Sequence, residues 1–71
     1  MRRRGAVAIT VMKLAQRIRE EFEEAPGLHV TVNEAARFWG LDEKTCEQVL
    51  IHLLATRFLT QRGDQRYAQA S

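Results

Sequence analysis

Residues 31–54, TVNEAARFWGLDEKTCEQVLIHLL, leave the chain few ways to fold. Thr31 stands where a helix N-cap is wanted, and Glu34 follows three residues on. That is the spacing of a capping box, in which each side chain satisfies a backbone N–H at the helix start. Val32, Ala35, Ala36 and Trp39 then fall at i, i+3, i+4 and i+7, one face of a helix. Gly40 follows where a left-handed C-terminal residue is wanted, and Leu41 plugs the corner. Asp42 caps a second helix, whose stripe is Cys46, Val49, Leu50, Leu53 and Leu54. The stretch reads as two helices joined by a tight turn.

The spacing resembles a helix-turn-helix. That motif puts a small residue where the helices cross, a Gly four residues later, then an apolar residue and two more apolar anchors. Ala36, Gly40, Leu41, Cys46 and Val49 occupy those places here. Ala at the crossing lets the helices approach steeply, and Gly permits the short turn.

Before this stretch, Thr10 is a candidate N-cap for a first helix. Val11, Leu14, Ala15, Ile18, Phe22 and Ala25 follow helical spacing, and Pro26-Gly27 ends it. Its polar side carries Lys13, Gln16, Arg17, Arg19, Glu20, Glu21, Glu23 and Glu24, an exposed surface that needs no function to explain it. Leu28-His29-Val30 reads as a short extended link. After residue 57 the pattern changes to alternation. Residues 58–62 and 65–69 flank Gly63-Asp64, which reads as a β-hairpin with Leu59 and Tyr67 toward the core and Arg62 and Arg66 near the tip.

Residues 1–9 form a separate basic arm in this reading, and residues 10–69 the domain. Arg2, Arg3 and Arg4 suit phosphates, or else are a solvated terminus. Ala6 to Ile9 are apolar, and three roles are open to them: an edge strand, a contact with another subunit, or loose packing on the first helix. The 71 residues suffice for one small domain with a modest core. A single Cys excludes an internal disulfide and lacks the companions of a zinc site, which fits a reducing, cytoplasmic setting. No apolar run reaches the roughly 18 residues of a membrane span. Lys13 interrupts the apolar stretch near the start, which argues against a secretory signal.

Taken together, three helices, a short link and a terminal hairpin resemble a winged helix-turn-helix domain over residues 10–69. The end RFLTQRGDQRYAQA is similar to the end of many bacterial winged-helix regulators, where an aromatic-leucine pair opens the hairpin and a Tyr closes over the core. The resemblance implies an α+β, mainly α fold: a three-helix core with a C-terminal hairpin wing, in a small stand-alone bacterial protein. It also implies that helix 43–56 enters the DNA major groove near its N-terminus. Glu43, Lys44, Glu47, Gln48 and Ile51 would face the groove, Arg37 and Thr45 the backbone, and Arg62 and Arg66 the neighbouring minor groove or phosphates, with the Arg2–Arg4 arm adding cations.

The charge layout pulls the other way. The formal charge is +4 over residues 1–13, −2 over 14–30, −2 over 31–56 and +2 over 57–71. The leading face of the second motif helix carries Asp42, Glu43 and Glu47 against Lys44, and each carboxylate beside a phosphate is repelled. Asp42 and Glu43 also suit any helix start. Two functions therefore stand. One is a DNA-binding winged helix, a transcriptional regulator acting as a dimer on palindromic sites. The other is a winged helix that binds protein through Phe38 and Ile51, which lie off the core stripes. An enzyme is not expected, since the sequence holds no nucleophile–base pair, phosphate-cradling Gly loop or metal cluster. His52 lies six residues from Cys46, on a different helix face. No cofactor, metal or small-molecule ligand is expected.

Overall fold

The computed structural model describes the backbone of residues 2–70 and the side chains of residues 10–70. The order of elements is α1 (Arg2–Glu24), β1 (His29–Val30), α2 (Val32–Trp39), α3 (Glu43–Ala55), β2 (Leu59–Gln61) and β3 (Tyr67–Gln69). The fold is α+β and mainly α, with three helices and one small antiparallel sheet in the order β1-β3-β2. Val30 pairs with Tyr67, and Gln61 pairs with Tyr67 from the other side. β3, the last strand in sequence, is thus the middle of the sheet.

α1 begins at Arg2, so Thr10 is an interior residue and not an N-cap. The backbone of residues 2–9, read from sequence as a separate arm, continues the helix. Nothing in RRRGAVAI forbids this: Arg and Ala are good helix formers, and the lone Gly5 costs only about 1 kcal/mol. The side chains of Arg2, Arg3 and Arg4 lie outside the described ones.

α1 packs mainly against α3, and α3 against α2. Ala15, Ile18 and Phe22 from α1 meet Ala35 and Ala36 from α2, and Cys46, Val49, Leu50 and Leu53 from α3. Val30, Leu59 and Tyr67 close the core from the sheet side. The helical stripes expected from spacing are buried or partly buried against the core, except Ala25, which is exposed beyond the end of α1. Phe22 is fully buried and links the layers. Its ring lies 5.9 Å from Trp39 and 6.5 Å, edge-on, from Phe58. Arg19 covers the far side of Phe58 at 4.7 Å while its Nε reaches Glu23 at 3.5 Å. The Trp39 indole N–H is buried and has no hydrogen-bond acceptor within the protein.

The hairpin turn differs from the Gly63-Asp64 pair expected. Arg62 N–H donates to the Arg66 carbonyl at 2.8 Å, and Gln65 N–H to the Arg62 carbonyl at 2.9 Å. The loop is therefore three residues, Gly63-Asp64-Gln65, and Gln65 takes the left-handed conformation with φ 66°. A three-residue loop puts its left-handed residue last. Gly63 is two loop positions too early to serve.

Candidate functional site

The helix pair is fixed at both ends by local chemistry. Thr31 Oγ1 accepts from the Glu34 N–H, and Glu34 Oε1 accepts from the Thr31 N–H, each at 3.1 Å. Gly40 takes φ 66°, and the Leu41 N–H reaches back to the Ala36 carbonyl at 2.9 Å. This six-to-one bond closes α2 and turns the chain into α3. Asp42 accepts from the Thr45 N–H at 3.0 Å and starts α3.

Two longer-range contacts lock the start of α2 in place. Asn33 Nδ2 donates to Glu43 Oε2 at 2.6 Å, tying α2 to the first turn of α3. Arg66 in the hairpin donates to Glu34 Oε1 at 2.6 Å, while its Nε lies 3.5 Å from Asp64. Glu34 thus serves two partners, the helix start and the hairpin. The Thr31 N–H first and Arg66 second hold its carboxyl below the ordinary 4.5. The Thr45 N–H likewise holds Asp42 below 3.8.

These contacts sort the candidate residues. Asp42 and Glu43 are engaged in capping and in the link to Asn33. Helical spacing from the buried stripe puts Lys44, Gln48, Ile51 and Ala55 on the outermost line of α3, and all four are exposed. That line carries one cation and no carboxylate, so the acidic face read from the sequence divides into a capped start and an uncharged-to-basic ridge. Glu47 is exposed on the flank, near enough to Tyr67 to help burial raise its phenol pKa. Thr45 is half-buried beneath the ridge.

Arg62 is exposed at the base of the hairpin loop, and Arg37 is exposed in the last turn of α2. Arg66, expected to project with Arg62, is half-buried and lies between two carboxylates instead. Asn33 and the second role of Glu34 escaped sequence reading. A capping box explains Glu34 completely at short range, and no local spacing signals a partner 32 residues away.

Phe38 and Ile51 are 63% and 51% exposed, the former edge-on to Trp39 at 5.3 Å. Cys46 is fully buried in the core. Burial first, then Asp42 and Glu43, push its thiol up to about 11, so it stays protonated and packs as a small apolar residue. No described helix is long and apolar enough to cross a membrane. Comparison with protein-family models, curated proteins and solved structures gives no match.

Proposed function

We propose that this chain is a winged helix that binds duplex DNA and acts as a transcriptional regulator in the cytoplasm. The observation that carries the reading is the exposed ridge of α3, Lys44-Gln48-Ile51-Ala55, standing clear of the capped carboxylates beside it. A helix of this width fits the major groove, where Gln can pair with adenine N6 and N7 and Lys with guanine or phosphate. Arg62 on the hairpin and Arg37 on α2, both exposed, would add phosphate contacts. Arg66 takes a different role, holding the hairpin against α2 through Glu34.

The test is binding to random duplex DNA at about 50 mM and about 200 mM salt. About four phosphate contacts give a roughly hundredfold loss of affinity over that range. K44E/R62E should abolish binding and leave the helical content unchanged. No binding at either salt overturns the reading. It would favour the second one, a protein-binding winged helix, for which the exposed Phe38 and Ile51 are the specific support.

A further inference from the structure

We infer that Ile51 reads thymine: the C5-methyl group of a thymine packs on its side chain, within one base-pair step of the adenine that Gln48 meets. The inference rests on the DNA-binding reading of α3 and names what that face recognises.

The first observation is where Ile51 stands. Cys46, Val49, Leu50 and Leu53 form the buried stripe of α3. At 3.6 residues per turn, Ile51 falls within about 30° of the direction opposite that stripe. Lys44, Gln48 and Ala55 share this line, and all are exposed. Three large apolar side chains are exposed among the described residues, Met12, Phe38 and Ile51, and Ile51, at 51%, is the one on α3. A lone exposed apolar residue is ordinary on a protein surface, so its company has to decide its role.

The second observation is that company. On one flank of the line, Glu43 accepts from Asn33 and Glu47 lies toward Tyr67. On the other, His52 and Thr56 face α1 across a groove. The ionisable groups of α3 beyond Lys44 therefore sit on its flanks or in its core, and the line from Gln48 through Ile51 to Ala55 is uncharged. Such a line offers nothing to phosphates but suits base edges. Every base pair shows hydrogen-bonding groups in the major groove, whereas the one apolar group there is the thymine methyl. Ile51 has no side-chain donor or acceptor to satisfy the others. Against a G·C pair it would take a polar edge out of water without replacing the hydrogen bond, which is costly.

The third observation is spacing. Gln48 and Ile51 are three residues apart, about 4.5 Å along α3, against about 3.4 Å between stacked base pairs. Their side chains thus reach the same base pair or adjacent ones. An amide suits adenine N6 and N7, and the partner of adenine carries the methyl group. Ala55, the next residue on the line, is small and lets the helix lie close.

The experiment selects duplexes from a pool with a random core, using the full chain at about 50 mM salt. The enriched duplex is then titrated as made, and with deoxyuridine replacing thymidine at each enriched position in turn. Deoxyuridine keeps every hydrogen-bonding group and removes only the methyl. One such replacement should weaken wild-type binding about fourfold, the effect of one buried methyl. I51A should bind the thymidine and deoxyuridine duplexes equally, and I51V should keep most of the difference. Helical content of I51A by circular dichroism should match wild type, since Ile51 lies outside the core. Enrichment of G·C pairs alone overturns the inference while DNA binding stands. So does deoxyuridine that costs nothing at any position, or a deoxyuridine penalty that persists in I51A. Absence of binding to any duplex overturns the DNA reading itself, and this inference with it.

Discussion

Gln65 and Arg57 both hold a backbone conformation that glycine adopts freely, with φ of 66° and 68°. Each sits where geometry demands it: Gln65 ends the hairpin loop, and Arg57 follows the last turn of α3. There Phe58 N–H reaches the Leu53 carbonyl and Arg57 N–H the Leu54 carbonyl, each at 3.0 Å. This is the same closure that Gly40 makes after α2, built without a glycine. A side chain in this region costs about 1–2 kcal/mol, and the added freedom of unfolded Gly offsets part of that. Gln65→Gly and Arg57→Gly should therefore each raise stability by about 0.5–1 kcal/mol in urea unfolding. Phe22 presents the opposite case. Truncating a fully buried aromatic costs about 3–5 kcal/mol, which equals what a core this small supplies. Phe22→Ala should lose its cooperative thermal transition altogether.

At the scale of elements, local signals wrote most of what is seen. Thr31, Glu34, Gly40 and Asp42 each act on a neighbour within five residues, so α2, the turn and the start of α3 could be read directly from spacing. Thr31→Ala should cost about 1 kcal/mol by removing the acceptor for the Glu34 N–H. The start of α1 could not be read in the same way, because Thr10 offers a cap that the continuous helix never uses. The hairpin was legible as two strands and wrong in its turn, since Gly63 draws attention away from Gln65. The candidate site was legible in its members but not in their engagement. Lys44, Gln48 and Arg62 stand exposed, whereas Arg66 is bound by a carboxylate that local spacing had already assigned.

Across the whole molecule, acid should act through two carboxylates. Glu34 and Asp42 both have folded pKa values below their ordinary 4.5 and 3.8. The unfolded chain then binds protons that the folded one refuses, so their stabilisation is complete above those ordinary values. It is lost as pH falls through the lower folded ones. Melting temperature should drop on acidification below about pH 4.5, and E34Q/D42N should flatten that drop. The order of the sheet has a consequence for synthesis. Neither β1 nor β2 has a strand partner until β3 appears between them. Val30 waits 37 positions (30 to 67) for Tyr67, about 2–7 s at ordinary translation rates. By the end of that interval all three helices have been made, and the sheet side of the core still stands open. The nascent chain's most vulnerable period is thus set by the placement of one three-residue strand.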